Sequence, residues 1–451
     1  MKNSQLLTRF LPPFILIAFF AVLIALDIKI ALIVFAGIVG IVATLKYPGF
    51  VVICAIIVIG INTEVYTSTK SLFSGSIEKI VVLVALVPLV VSNQVRFRIF
   101  PIIFVYVILF AYTFVVSTMP DSLTFLQASK TFAGLIFGWL IAGLILPARL
   151  SRRIQILLML LPVICVLIGI VLQVAGLWTV FGREWGTGAL RLQGAQKAAQ
   201  LAGISVIAIA AGLSNLFHGR GKYFNLALII INLGILVATG GRSALMMGVF
   251  IILYIVLPTF INRLQTTWRI PKPVLILTVF FGVVLLIAIP IVIDHTFTTY
   301  NSSDLAINTS NRWPTWQFYW SQAKVNPVFG RGMGANVVIP SETTEKILGA
   351  PHNEYLRTVV DSGFVGLVLV LIGLLTTMRM VLAKVKGRDH KILEAVFISV
   401  LVVAFVDNIF NNTQFTAALG FLIASTISTS ISQPEKKDIE PISPTLVEQT
   451  G

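Results

Sequence analysis

Apolar residues run along most of the chain in continuous blocks near the roughly 20 residues that a helix needs to cross a hydrocarbon core. Short segments holding most of the charge and much of the proline and glycine separate the blocks. Candidate spans fall at 10–26, 30–45, 49–61, 77–92, 99–117, 126–147, 154–177, 198–217, 223–239, 244–260, 273–293, 355–378, 391–407 and 415–431, about fourteen crossings. Runs such as Val274 to Ile293 are continuously apolar rather than alternating, so helices, and not barrel strands, are expected to satisfy the backbone in lipid. The predicted fold class is all-α: a polytopic membrane bundle of about 12–14 transmembrane helices over residues 1–431. The segment 432–451, rich in Pro, Glu and Lys, is expected to be a disordered cytoplasmic tail. Lys2 and Arg9 precede the first apolar run as in a signal peptide, but Leu26-Asp27-Ile28-Lys29 offers no small-residue cleavage site. That run is expected to stay as the first helix.

Composition agrees: 57% of the residues are apolar, 11% are charged and the mean hydropathy is +0.95, which excludes a soluble globular domain. The net charge of +15 is spread through loops and never forms a basic patch with interleaved aromatics, so no nucleic acid is expected as a partner. The charge reports topology instead. Arg96 and Arg98, Arg149, Arg152 and Arg153, Arg220 and Lys222, Arg263, Arg269 and Lys272, and Lys384, Lys386, Arg388 and Lys391 all land on one side, which the positive-inside rule makes cytoplasmic, with both termini. Cys54 and Cys165 lie inside apolar segments and imply no disulfide or zinc site.

Two segments on the other side are too long for simple turns: 178–197 and the stretch from Asp294 to His352. The second, 294–353, is an excursion of roughly 60 residues where about 12 is already long, so it is expected to carry function. Trp313, Trp316 and Trp320 recur at helical spacing there, which predicts short helices at the outer interface; an aromatic belt that only anchors the protein fits the same pattern.

Within these outer segments, His352 in Ala350-Pro351-His352-Asn353-Glu354 opens a predicted helix. A histidine, whose ordinary pKa is about 6.5, suits general-base work on a sugar hydroxyl; helix capping is the plain alternative. Arg191, Arg242 and Arg312 each border a span. Several guanidinium forks at one membrane face suit a diphosphate clamp. Arg242 stands between two apolar helices with almost no loop, a costly place for a cation without a partner or a wet cavity. It would alternatively cap the preceding helix or pair with Asp407. Arg357 and Asp361 have the spacing of a same-face ion pair, and Asn411-Asn412-Thr413-Gln414 forms a polar outer turn fit for sugar hydroxyls or for solvent. Phe329-Gly330-Arg331-Gly332-Met333-Gly334 is expected to be a flexible turn, since no strand is available for a dinucleotide site. The outer carboxylates are scattered, so no metal is expected, and the sequence has no P-loop and calls for no cofactor.

Thr239-Gly240-Gly241-Arg242-Ser243-Ala244, Arg312 with Trp316, Pro327-Val328-Phe329-Gly330-Arg331-Gly332, His352-Asn353-Glu354-Tyr355-Leu356 and Asp361-Ser362-Gly363-Phe364-Val365-Gly366 resemble, in order and spacing, the O-antigen ligase and polymerase superfamily over about residues 190–370. Arg191-Leu192-Gln193-Gly194 is similar to that family's Arg-containing outer segment, without its usual following Pro-Asn. The resemblance implies a helical glycosyltransferase of the bacterial inner (cytoplasmic) membrane, with its active site facing the periplasm or exterior. It implies transfer of a glycan from an undecaprenyl-diphosphate-linked donor to a glycan, lipid or protein acceptor, without metal. His352 would be the catalytic base, and Arg242, Arg191, Arg312, Asn353 and Tyr355 would bind substrate. Ligation and polymerisation use the same donor and stay open, and a bicarbonate-like anion transporter is the reading from another class.

Overall fold

The computed structural model describes residues 48–61, 82, 96–183, 188–218, 221–266, 272–300, 304–307, 312–342 and 350–432. The spans expected at 10–26 and 30–45, most of 77–92 and the tail lie outside them. Each of the other eleven expected spans is a helix: α1 (Pro48–Ile59), α2 (Pro101–Thr113), α3 (Phe125–Ala142), α4 (Ala148–Val174), α5 (Ala198–Phe217), α6 (Lys222–Ala238), α7 (Arg242–Thr266), α8 (Lys272–Thr296), α11 (Glu354–Leu382), α12 (Gly387–Val403) and α13 (Thr413–Ser432). Two shorter helices, α9 (Arg312–Ala323) and α10 (Ala335–Glu342), occupy the long outer segment. Three two-stranded antiparallel ribbons, β1 (Arg96–Phe97) with β2 (Leu144–Ile145), β3 (Phe181–Arg183) with β4 (Leu190–Leu192), and β5 (Phe297–Tyr300) with β6 (Asp304–Ile307), and a 3-10 turn at Ile409–Asn411 complete the described elements. The protein is an all-α polytopic membrane bundle. Among the described residues six helices are long and apolar enough to span: α3, α4, α5, α7, α11 and α13.

Burial ranks these helices. The spanning windows of α5 and α13 are 83% and 89% buried, against 39–44% for the other four, so α5 and α13 form the centre and the others present one face to lipid. Small residues allow the close approach that substitutes for a hydrophobic driving force between helices in lipid. A Cβ on Gly138 of α3 would strike the Thr416 backbone of α13, and one on Gly420 of α13 would strike the Gly138 carbonyl.

The basic clusters gather at one end of this bundle. Arg149, Arg152 and Arg153 start α4, Lys222 starts α6, Arg263 is near the end of α7, and Lys384, Lys386 and Arg388 lie where α11 turns into α12. At the other end α9 and α10 pack on the start of α11 around a separate small core of Leu123, Tyr319, Ala323, Ala335, Val338, Ile339, Val359 and Val360.

Helix α11 is broken at Gly363, where φ is +67° and ψ is −174°. The glycine-rich segment expected as a flexible turn docks into that break. Arg331 N–H donates to the Val360 carbonyl and Gly332 N–H to that of Asp361, while Phe364 and Val365 N–H donate to the carbonyls of Pro327 and Val328. Backbone groups freed by the break are thereby paired, as they must be in a membrane protein. Gly363→Ala places a Cβ against the Val328–Phe329 backbone in a φ/ψ region open essentially to glycine alone, at a cost on the order of 1–3 kcal/mol. A lower melting temperature in detergent is expected, with the N-terminal turns of α11 and the 327–334 loop losing hydrogen-exchange protection together.

The expected Arg357–Asp361 pair is corrected. Arg357 pairs with Glu354 one turn earlier, both buried, and Asp361 accepts from the backbone N–H and side-chain Nδ2 of Asn336. The outer helix α10 supplies Asp361 with neutral donors, which leaves Arg357 to compensate Glu354. Glu354 also accepts from Phe410 N–H at 2.8 Å, so the pair fastens the start of α11 to the turn after α12. Arg357→Ala strands a buried carboxylate, and a loss of roughly 3–5 kcal/mol in stability is expected, read as a fall in thermal midpoint that Arg357→Lys partly restores.

Candidate functional site

At the end of the bundle away from the basic clusters, a cavity of about 330 Å³ is lined by Arg191, Arg242, Arg312, His352 and Asp407, together with Ser243, Asn408, Asn412 and apolar residues of α5 and α13. Each charged side chain arrives on a different element. Arg191 is on β4, where it pairs in register with Gly182 of β3; its Nε donates to the Thr239 carbonyl at 2.7 Å. Its side chain lies against Gly240, whose φ of +62° turns α6 into α7. This tight turn is why Thr239-Gly240-Gly241-Arg242 needs its glycines: a Cβ on Gly241 would press on Ala202 of α5. Arg242 is the first residue of α7, and Gly241, Arg242, Ser243 and Ala244 all line the cavity, so the N-terminus of that helix, with its positive dipole end, also faces it.

His352 has a φ of +47°, the one non-glycine residue with positive φ among those described. Histidine tolerates this region better than most residues, and its neighbours hold it there. Trp316 of α9 donates from Nε1 to the Pro351 carbonyl at 2.7 Å. On the other side Asn353 caps α11, its Oδ1 accepting from Leu356 N–H at 2.9 Å. Arg312, at the start of α9, donates to the Val406 carbonyl and ties the same helix to the turn that carries Asp407. The outer helices therefore fix the orientation of the imidazole and of its partner.

That partner is Asp407, whose Oδ1 is 3.3 Å from His352 Nδ1. A carboxylate only accepts, so the contact favours a proton on Nδ1, the tautomer that in a neutral imidazole leaves the lone pair on Nε2. Asp407 also accepts from Ser243 Oγ at 2.7 Å and from the Asn408 N–H at 2.9 Å. Burial pushes its carboxyl up, but hydrogen bonds from His352 and Ser243 and the charge of Arg312 outweigh it and hold the pKa below the ordinary carboxylate value. Asp407 is an anion at neutral pH, and Asn408 Oδ1 beside it is buried without a hydrogen-bond partner among the described residues.

Of the site residues expected from sequence, the structure brings Arg191, Arg242, Arg312 and His352 to one cavity, and leaves Asn353 and Tyr355 off its wall. Asn353 is used as the helix cap, and Tyr355 donates its hydroxyl to the Leu401 carbonyl at 2.7 Å. Sequence reasoning connected Asp407 with Arg242 rather than with His352, and it passed over Ser243 and Asn408. The available signal was an acid in an otherwise apolar helix end on the same side as His352. Trp313 and Trp320 remain 58% and 46% exposed, as interface anchors would be, whereas Trp316 is engaged with the histidine turn. Among the described residues no three His, Cys, Asp or Glu side chains gather as a metal site would require.

The described residues form a multi-pass helical bundle with a cationic cavity and a carboxylate-held histidine at one end. Residues 227–371 match the family model described as O-antigen ligase, and this match supports the O-antigen ligase superfamily for the chain, that is, a membrane enzyme of the ligase or polymerase type. No curated protein matches the chain. The matched stretch contains Arg242, Arg312 and His352; Arg191 and Asp407 come to the cavity from outside it.

Proposed function

We propose that the protein transfers a glycan from an undecaprenyl-diphosphate-linked donor to an acceptor hydroxyl at the outer face of the bacterial inner membrane, without a metal ion. The observation carrying this reading is the convergence of three arginines and one histidine, from four separate segments, on a single cavity. The basic clusters at the far end support a cytoplasmic position for that end, and the proposal accordingly sets the cavity on the periplasmic or exterior side, with both termini inside.

In the proposed step the acceptor oxygen attacks the anomeric carbon, and the bond from that carbon to the diphosphate oxygen breaks. The hydroxyl proton passes to His352 Nε2, and Asp407 stabilises the imidazolium that forms. The leaving diphosphate takes the electron pair, and Arg242, Arg191 and Arg312 with the N-terminus of α7 meet its growing charge. Three guanidinium groups against one carboxylate leave the cavity with the positive balance a diphosphate needs. A volume of about 330 Å³ is at the low end for a ligand site and holds the sugar–diphosphate junction rather than the whole donor. Beneath it Val206, Ile207, Ile209, Ala210 and Leu213 of α5 are wholly buried and apolar, which supports an enzyme over a route for small anions.

The test is reconstitution of the full chain with a polyprenyl-diphosphate oligosaccharide and, in separate reactions, a lipid-linked sugar acceptor, a peptide acceptor or further donor alone. Release of polyprenyl diphosphate with a product of acceptor-plus-glycan mass is expected, and the productive arm separates ligation from polymerisation. No release in any arm would end the proposal.

A further inference from the structure

A second cavity, of about 420 Å³, opens between α4, α5, α6 and α13 at the end of the bundle that carries the basic clusters. Helix α5 runs from the first cavity, which Ala199 and Ala202 line, to the second, which Asn215 and His218 line. Its 20 residues put about 30 Å between the two at 1.5 Å per residue, so they face opposite leaflets.

Three features of this second cavity bear on what it could hold. Gln155 is only 4% exposed and lines it, yet its side-chain amide makes no hydrogen bond among the described residues, where a buried amide normally has a partner. Arg152, one helical turn before Gln155 on α4, lines the same space and has no ion pair among the described residues. Gly221, with φ +59°, precedes α6 without a side-chain cap and lines the cavity, so the N-terminus of that helix borders it. The other polar groups are already engaged, Asn225 among them. His218 Nδ1 is 2.7 Å from the Ser214 carbonyl and Nε2 is 3.5 Å from Asp389, Asn215 donates to the Ala211 carbonyl, and Thr429 donates to the Ser425 carbonyl. Asp389, the nearby carboxylate, accepts from Ser214 Oγ at 2.7 Å and does not line the space.

A guanidinium, a buried amide and an uncapped helix N-terminus around one cavity make an anion site. Its mouth selects the source of the anion. Ile156 and Phe224 line the same cavity and are 43% and 52% exposed, with Tyr223 67% exposed beside them, so an apolar flank continues onto the lipid-facing surface. The geometry points to the phosphate headgroup of an anionic phospholipid from the basic-side leaflet, held by Arg152, Gln155 and the start of α6, with its acyl chains along Ile156 and Phe224. This reading is independent of the transfer chemistry at the opposite end.

Native mass spectrometry of the full-length protein in detergent tests it, with phosphatidylglycerol, phosphatidylcholine of the same acyl chains and inorganic phosphate as probes. Phosphatidylglycerol should be retained several-fold more than phosphatidylcholine and should raise the melting temperature where phosphatidylcholine does not, a comparison that needs no variant. Arg152→Ala and Gln155→Leu should each bring the two lipids toward parity, Arg152→Lys should keep most of the preference, and Arg242→Ala at the other end should keep all of it. Equal retention of both lipids by the unaltered protein, or a preference that survives Arg152→Ala with Gln155→Leu, overturns the proposal. So does displacement of phosphatidylglycerol by millimolar inorganic phosphate, which would make the ligand a soluble anion.

Discussion

Replacing His352 with alanine should lower glycan transfer on the order of 10²- to 10⁴-fold, the range that a positioned general base contributes. The loss should fall on kcat, since the arginines that hold the donor are untouched. Asp407→Asn sharpens the test because it keeps the shape and removes the charge. An amide can turn either its oxygen or its NH₂ toward Nδ1, so the tautomer that leaves a lone pair on Nε2 is no longer enforced, and a drop on the order of 10²-fold or more is expected. Wild-type turnover in either variant would remove the histidine from the chemistry. The Asp407 carboxyl is held below its ordinary value, so the stability its ionised form supplies is complete above the unfolded value of about 3.9 and is lost only as pH falls through the lower folded value. At about pH 5 the contribution of Asp407 to the thermal midpoint should therefore be intact, and Asp407→Asn should shift the midpoint there as much as it does at about pH 7.

The helices were legible because lipid leaves the backbone few choices. A run of about 20 apolar residues is a helix in a bilayer whatever its propensity, which is why spans such as 198–217 and 223–239 coincide with α5 and α6 to within a residue. The outer helix α9 was legible at coarser grain, from tryptophans at helical spacing, a signal that α10 does not carry. Pairing across the chain was not legible. Asp407 lies 55 positions beyond its histidine, and nothing local distinguishes that partner from Arg242. The Arg357–Asp361 expectation failed for a related reason: spacing on a helix says which side chains can meet, while Asn336 on another element decided which did. The glycines at 330, 332 and 334 looked like flexibility because their sequence gives positive φ without saying against what. The break at Gly363, 29 or more positions away, supplies the surface they fit. The short ribbon of β3 and β4 that places Arg191 carries no periodic signal, having three residues per strand.

Arg242→Ala should cost at least as much as loss of one preorganised donor in other sites of this kind, on the order of 10²- to 10³-fold in kcat. Its position explains the size. The residue starts α7 beside that helix's own N–H groups, and α7 cannot shift to compensate because Gly241 lies against Ala202 of the central helix α5. Charge on the diphosphate grows as the sugar departs, so the interaction strengthens in the transition state and the loss should appear in kcat more than in KM. Arg242→Lys keeps the charge without the fork and should recover only part of the rate. Arg191 gives a contrasting result, because its Nε is bonded to the Thr239 carbonyl. Arg191→Ala removes a cation and also loosens the turn that aims Arg242, so Arg191 and Arg242 should be coupled. The double alanine variant should then lose less than the product of the two single losses. Strict multiplication of the two effects, or a change confined to KM, would mean that the arginines hold the donor at rest and do nothing for its departure.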